Sequence, residues 1–320
     1  MPLDHQITYL QAVLLGLLQG LTEFLPVSST AHMAIAPQLL FGMPDPGASF
    51  SAVVQLGPIV AIIAYFRHDL KRYLDGIIRT KSPANVAADD VDARLGWYTL
   101  LGTIPMVIFG LLLESKIDKE FRQLQVMAIG LIALAIVLAI AEYVGKRKKS
   151  LEQMSFKESQ AIGWAQVLCL VPGTSRSGVT ITAALFCGLE REAAARFSFL
   201  LSIPAITGAG VYKLAKVLHK SQFSGETGPY LVGTIVAGAF AYVVIKWFLG
   251  FMKEHNTSVF IVYRIVLGAV ILALLHTGRI HDVPKEPEAP TSTNLSVTSL
   301  PAQDYVATPD GHFVPVSLKR

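Results

Sequence analysis

The chain reads as an all-α polytopic membrane protein built as an inverted repeat, with six transmembrane helices and two re-entrant helical hairpins. Three observations predict this. Of 320 residues, 52% are apolar and only 16% charged, a composition foreign to an ordinary soluble domain. The apolar residues gather in the windows Phe50–Phe66, Leu95–Leu113, Val126–Ala141, Phe197–Tyr212, Tyr230–Ile245 and Val259–Leu275. These approach or reach the roughly 20 residues that a helix needs to cross a bilayer core. Finally, landmarks of the first half recur, in the same order, in the second.

The recurrence is specific. Gln11-Ala12-Val13 opens the first apolar run and Gln160-Ala161-Ile162 a later one. Pro26 precedes Val-Ser-Ser-Thr, and Pro172, 146 residues on, precedes Gly-Thr-Ser-Arg-Ser. Phe50-Ser51 and Phe197-Ser198 are 147 apart, Pro58 and Pro204 are 146 apart, and Gly102-Thr103-Ile104 returns as Gly233-Thr234-Ile235 after 131. The units so defined are residues 1–143 and 159–276, each a hairpin (about 7–42 and about 159–190) followed by three spanning helices. A basic linker, 144–158, joins them, and a tail, 277–320, follows.

Taken in order, the first hairpin carries a polar motif within apolar sequence: Gln19-Gly20-Leu21-Thr22-Glu23-Phe24-Leu25-Pro26-Val27-Ser28-Ser29-Thr30-Ala31-His32. Polar groups cost free energy in hydrocarbon unless satisfied or used. Gln19 and Glu23 share one helix face. Pro26 ends that helix, because it lacks an N–H and drives Leu25 out of the α region. Ser28, Ser29 and Thr30 then offer hydroxyls and amides suited to an anion. A helix cap alone needs one hydroxyl and neither Glu23 nor His32.

Charge sets the topology. Arg67, Lys71, Arg72, Arg79, Lys81 and Arg94 follow the first window, and Lys146, Arg147, Lys148, Lys149 and Lys157 occupy the linker. Both segments read as cytoplasmic. Between them the connector 114–125 balances its charges, as expected outside. Three crossings invert the second unit relative to the first. Lys213, Lys216 and Lys220 resist this assignment, although lysines near helix ends snorkel. Neither arm of either hairpin reaches a comfortable spanning length, so both are expected to re-enter, their turns meeting near the midplane around a wet, protein-lined cavity. No basic n-region precedes the first apolar run, so no cleavable secretion signal is expected. The tail holds Pro284, Pro287, Pro290, Pro301, Pro309 and Pro315 among polar residues and is expected to be disordered.

The second turn is Pro172-Gly173-Thr174-Ser175-Arg176-Ser177-Gly178-Val179-Thr180. Gly173 and Gly178 permit a sharp turn and close approach. Thr174, Ser175, Ser177 and Thr180 supply hydroxyls. A guanidinium in a membrane turn is costly, but its planar fork matches phosphate oxygens, so Arg176 inside this frame marks an anion cradle. The bland alternative is a structural pair with Glu23. Gln55 and Gln166 read as interhelical hydrogen-bonding groups. Glu142, Glu190, Arg191, Glu192, Arg196 and Arg264 read as segment-end or structurally paired charges, and Trp97, Trp164 and Trp247 as interface anchors. Cys169 and Cys187 read as buried free thiols. No cluster has metal-ligand spacing, no Walker loop is present, and nothing suggests nucleic-acid binding.

Together the two motifs resemble those of the undecaprenyl diphosphate phosphatase family, also called bacitracin-resistance proteins. The first is similar to that family's (Glu/Gln)xxxGlu stretch leading into Ser-Ser-Thr-x-His, the second to its PGxSRSxxT. Gln19 stands where many members have Glu, and Ala31 where Gly is usual. The resemblance covers about residues 7–276 and implies dephosphorylation of a polyprenyl diphosphate for reuse of the lipid carrier in cell-wall synthesis. It also implies a site open to the outer face of the bacterial cytoplasmic (inner) membrane.

On this reading the catalytic residues are Glu23, Ser29, His32 and Arg176. Phosphate is bound by Gln19, Ser28, Thr30, Gly173, Thr174, Ser175, Ser177, Gly178 and Thr180. Ser29 is the favoured nucleophile, with Glu23 or His32 as its base; His32 itself or water are the other attackers. No tightly bound cofactor is expected, although Glu23 and the diphosphate together suit a divalent cation, Mg or Ca. The partners are the lipid substrate, bilayer lipid and, compatibly, a second copy in a homodimer. A transporter or flippase with a midplane anion site is the competing class, since broken helices and inverted repeats are its hallmark.

Overall fold

The computed structural model describes residues 7–43, 47–116, 123–219, 227–282, 305–307 and 313–315. The connector charges between Glu114 and Arg122, the side chains of Lys213, Lys216 and Lys220, and tail residues 283–304, 308–312 and 316–320 lie outside what it describes. Two units separate by contact, Met1–Pro284 and Lys285–Arg320.

The first unit is helical. Thr8 and Gln11 form a capping box at the start of α1 (Tyr9–Thr22), satisfying two orphan donors reciprocally. After the Pro26 turn, α2 (Ser29–Phe41) runs to Gly42, whose φ of +62° closes the helix in the left-handed region. The window expected as one helix over 50–66 is two, α3 (Gly47–Val54) and α4 (Leu56–Tyr65). They part at Gln55, where Pro58 withholds an N–H from the carbonyl four residues back, although α6 and α10 run through Pro105 and Pro204 without parting. α5 (Arg67–Thr80) is amphipathic, burying Tyr73, Gly76 and Thr80 and exposing its charges other than Asp69; it packs on α6 (Val91–Lys116).

Then follow α7 (Leu124–Val144) and α8 (Phe156–Ala165), the latter prolonged by a 3-10 turn at Gln166–Leu170. After the second turn come α9 (Arg176–Phe186), α10 (Arg191–His219), α11 (Thr227–Glu254) and α12 (Ser258–His276). Among the described residues, five helical segments are long and apolar enough to cross a membrane: Val91–Leu113, Leu124–Val144, Arg191–Tyr212, Thr227–Glu254 and Ser258–His276. The chain is a multi-pass membrane protein, and its exposed Val60, Leu111, Leu112 and Ile235 fit lipid contact.

Two seams bring backbones unusually close. A Cβ on Gly16 of α1 would lie 2.4 Å from the Gly233 carbonyl oxygen of α11, and one on Gly163 of α8 would lie 2.3 Å from that of Gly102 on α6. Only glycine permits these crossings. Beneath the first turn, Phe24 is 1% exposed and begins an aromatic run, edge-to-face on Phe199 at 5.2 Å, then Phe199 tilted against Phe248 at 5.8 Å and Phe248 edge-to-face with Phe260 at 5.4 Å. This core, shared by α10, α11 and α12, fixes the residue next to Glu23.

Charges at helix ends pair as read from the sequence. Glu142 accepts hydrogen bonds from Arg147, Arg191 and Thr257, and Arg196 pairs with Asp69 at 2.6 Å. The tail begins later than residue 277. Ile280 is buried, Gln38 and His281 exchange two hydrogen bonds, and the Asp282 carboxylate accepts from the Leu124 N–H at 2.6 Å. In the second unit, β1 (Tyr305–Ala307) pairs antiparallel with β2 (Phe313–Pro315), Val306 opposite Val314. This departs from the unstructured tail that composition predicts. The β-formers flanking Pro309-Asp310-Gly311 are a local hairpin signal within that composition.

Candidate active site

The two Pro turns have one geometry. Ser28 caps α2 at φ 70°, ψ 91°, and Ser175 caps α9 at φ 68°, ψ 117°. Both are left-handed non-glycine residues, a conformation that costs about 1–2 kcal/mol and survives only where the surroundings over-determine it. In each, the serine hydroxyl accepts from the N–H three residues on, that of Ala31 or Gly178. Each hydroxyl also bonds the hydroxyl two residues on, that of Thr30 at 3.0 Å or Ser177 at 3.2 Å. The residue after each cap, Ser29 in one turn and Arg176 in the other, therefore begins a helix in the same way.

Both of these residues reach Glu23. Its Oε2 accepts from the Ser29 hydroxyl at 2.8 Å and from Gln19 Nε2 at 2.7 Å. Its Oε1 accepts from Gln55 Nε2 at 3.1 Å and from the Arg176 guanidinium, with which it forms an ion pair. The Glu23 side chain is 2% exposed, so its charge rests wholly on these donors. Gln55 comes from the break between α3 and α4, and its partner there is a carboxylate of the site.

Other contacts lock the turns together. Ser177 Oγ donates to the Leu25 carbonyl at 2.8 Å, and the Gly173 N–H reaches Thr30 Oγ1 at 3.5 Å. Arg264 of α12, fully buried, donates to the carbonyls of Pro26 (3.3 Å), Thr174 (2.8 Å) and Leu131 (3.2 Å). One guanidinium thus staples both turns to α7. Gly173 has φ +93°, and a Cβ there would lie 2.3 Å from the Met127 carbonyl oxygen; a Cβ on Gly178 would lie 2.4 Å from Arg264 Nη1. Close approach is the reason for both glycines.

A cavity of about 110 Å³ opens between the turns, lined by Glu23, Ser28, Ser29, Thr30, Gln55, Ser175 and Arg176. The remaining residues marked from the sequence surround it without lining it. Gln19 supports Glu23. Thr174 Oγ1 donates to the Val171 carbonyl at 2.8 Å and the Leu168 carbonyl at 3.0 Å. Thr180 is buried, donating to the Arg176 carbonyl and bonding Ser198 at 2.6 Å. His32 has both ring nitrogens engaged, Nδ1 with the Ser28 carbonyl at 2.7 Å and Nε2 with the Tyr263 hydroxyl at 2.6 Å.

Among the described residues no group of three His, Cys, Asp or Glu side chains converges as a metal site. Glu23 is the one carboxylate lining the cavity, and four donors already occupy its oxygens. These residues alone would offer a cation one carboxylate, and a bound diphosphate would have to supply the other oxygens.

The sequence marks Gln55 only as an interhelical hydrogen-bonding group and Arg264 only as a segment-end or paired charge, and it does not mark Tyr263 at all. Arg264 carried a usable signal, a lone guanidinium inside the window Val259–Leu275, where an intramembrane charge marks function by default. Tyr263 carried none, because its partner is 231 residues away.

The chain is similar to known proteins over most of its length. The family described as bacitracin resistance protein BacA matches residues 12–270. A relative from Chloroherpeton thalassium named undecaprenyl-diphosphatase is 46% identical over 279 residues, covering 85% of this chain and 98% of its own length. One of the same name from Myxococcus xanthus is 46% identical over 293 residues, covering 88% and 96%. Another, from Mycolicibacterium smegmatis, is 44% identical over 274 residues, covering 85% and 98%. With the family match spanning both turns and every helix that carries them, the chain belongs to the bacitracin resistance protein family, BacA.

Proposed function

We propose that the chain is an integral-membrane phosphatase that hydrolyses undecaprenyl diphosphate to undecaprenyl phosphate and inorganic phosphate, returning the lipid carrier to cell-wall synthesis. The observation that carries this is the convergence of Ser29 and Arg176, from two turns, on the Glu23 carboxylate at a cavity inside a bundle of apolar helices. A diphosphate on a long apolar tail is the ligand that needs both a membrane address and an anion cradle.

The chemistry follows from who donates to whom. Ser29 already gives its hydroxyl hydrogen to Glu23. When its oxygen attacks the terminal phosphorus, that proton passes to the carboxylate, a base held in reach. A Ser29–phosphorus bond forms, the bridging P–O bond breaks, and the lipid monophosphate leaves with the bridging oxygen. Glu23 hands that proton to the departing lipid monophosphate, then takes one from a water whose oxygen attacks the phosphoserine. The Ser29 Oγ–phosphorus bond breaks, inorganic phosphate leaves, and Glu23 returns the proton to Ser29 Oγ. Arg176 turns from Glu23 to the transferring phosphoryl group and stabilises its charge. The first turns of α2 and α9 add the positive ends of their dipoles. His32, tied at both nitrogens, supports the turn. No step passes through a metal.

The fold is read here as an inverted repeat of six crossings, with α3 and α4 together as the sixth and the two Pro turns as re-entrant hairpins. The seams support it. Gly16 and Gly163 are 147 residues apart, Gly102 and Gly233 are 131 apart, and these are the offsets that relate the two halves. Gly16 against Gly233 and Gly163 against Gly102 are then one contact made twice. The position 146 residues after Glu23 holds Cys169, so the halves share a frame and divide the chemistry. The basic loop after α4 and the basic linker are assigned to the cytoplasm of a bacterial inner membrane, and the site to the outer face.

The test is phosphate release from undecaprenyl or farnesyl diphosphate by protein purified in detergent, where transport has no meaning. Turnover supports the phosphatase. Binding of the lipid without release of phosphate favours a transporter or flippase, the reading that the duplicated frame also suits.

A further inference from the structure

His32 sits four residues after the strained Ser28, and its bonding fixes its protonation. A carbonyl oxygen can only accept, so the 2.7 Å contact with the Ser28 carbonyl places the proton on Nδ1. His32 is 6% exposed, and no carboxylate bonds it among the described residues. With Nδ1 donating, a neutral ring leaves Nε2 bare to accept from the Tyr263 hydroxyl, 2.6 Å away. The rings lie parallel, 1° apart in plane at a centroid distance of 5.7 Å. Tyr263 is itself 44% exposed, so its hydroxyl joins the lipid or water face of α12 to the inner turn.

We infer that Tyr263 is a positioning residue for the phosphoryl-transfer step, acting through His32. By donating to Nε2 it holds the imidazole in the Nδ1–H tautomer. That tautomer clamps the Ser28 carbonyl and keeps Ser28 at φ 70°, which points the next residue, Ser29, at Glu23. The opposing turn shows what the clamp adds. Ser175 has the same backbone conformation, but its carbonyl accepts from the Val179 N–H at 2.9 Å, whereas the His32 N–H lies 3.4 Å from the Ser28 carbonyl, so in the first turn the ring supplies the hold that the backbone supplies in the second. The brace belongs to the turn that carries the nucleophile. Without it, Ser28 relaxes toward an ordinary conformation and Ser29 Oγ leaves the line between Glu23 and phosphorus.

The role of Tyr263 in turnover rests on the phosphatase reading; the tautomer of His32 does not, so the two fail separately. The experiment uses full-length protein in detergent, wild type and Tyr263→Phe, which removes one hydroxyl from a half-exposed ring. Nitrogen NMR of histidine-labelled protein reads the tautomer, and phosphate release from farnesyl diphosphate reads turnover. The expected results are a single Nδ1–H tautomer in the wild type and a mixed population in Tyr263→Phe. Turnover number should fall about 10- to 100-fold at unchanged KM, since misplacement of a reacting group acts on the chemical step. In a His32→Ala background, adding Tyr263→Phe should change turnover less than about twofold, because a residue acting through another adds nothing once the other is gone.

A protonated or Nε2–H His32 in the wild type overturns the inference. So do an unchanged turnover number in Tyr263→Phe, a rise in KM alone, and additive losses in the double variant. If the wild type releases no phosphate, the phosphatase reading falls and the tautomer result alone decides whether Tyr263 sets His32.

Discussion

Glu23 and Arg176, 153 residues apart in the chain, form an ion pair across the two Pro turns. The turns lie in separate halves of the sequence, and this pair makes one site of them. The carboxylate is nearly inaccessible while the guanidinium remains 13% exposed toward the cavity. The acid is thus held in place while the cation keeps access to an incoming anion.

Arg176→Ala should lower phosphate release by about 10²- to 10³-fold, the usual loss when a donor to a developing oxyanion is removed. Arg176→Lys should recover little of it, because an ammonium keeps the charge but not the fork. Steady-state kinetics on detergent-purified, monodisperse protein checks this. Near-wild-type turnover by a folded Arg176→Ala variant removes Arg176 from the chemistry.

Ser29→Ala should abolish a phosphoryl-enzyme trapped from terminally labelled substrate, together with turnover. Thr30→Ala, whose hydroxyl meets Ser28 and the Gly173 N–H, should keep the trapped species. If the Ser29→Ala variant turns over normally, direct attack by water replaces the covalent route.

Ser28 separates strain from capping. Ser28→Gly relieves a left-handed residue, worth about 1 kcal/mol, at a cap loss of only a few tenths. Ser28→Ala keeps the strain and loses the cap, costing about 1 kcal/mol. Thermal unfolding in one detergent should rank glycine at or above wild type and alanine below it. The opposite order would show that the hydroxyl outweighs the backbone.

Gly16→Leu and Gly163→Leu should each destabilise strongly and to a similar degree. A Cβ at either position meets a backbone oxygen at 2.4 Å or 2.3 Å, and overpacking costs about 1–3 kcal/mol or more. A large difference between the two would argue against one seam used twice. Gly250→Leu, with nothing within 4 Å of its Cβ, is the control.

Much of the architecture was legible because it follows from local pattern. Apolar windows map onto α6, α7, α10, α11 and α12 since hydrocarbon demands a long unbroken helix. Hydropathy over 50–66 shows no break, and neither does its proline, since Pro204 at the matching place leaves α10 whole; the parting at Gln55 is set by packing. At the site, Pro26 and Pro172 announced the turns, and Glu23, Ser29 and Arg176 were marked as residues out of place in an apolar setting. Gln55, Tyr263 and Arg264 were not read as part of it, since each acts over a distance that only packing creates: 32 residues to Glu23, 231 to His32 and 238 to Pro26. Hydroxyls of Thr174 and Thr180, which as residue types look like ligands for phosphate, are spent on neighbouring carbonyls and Ser198.

The four donors that crowd Glu23 have one more effect. On the proposed mechanism an idle catalyst is latched: its cation is parked on its own acid, and the attacking oxygen faces inward. Only a visitor with enough negative charge to lure Arg176 away opens the latch, so triggering and selectivity become a single event. Neutral esters and carboxylate lipids drifting past in the leaflet would leave the mechanism asleep.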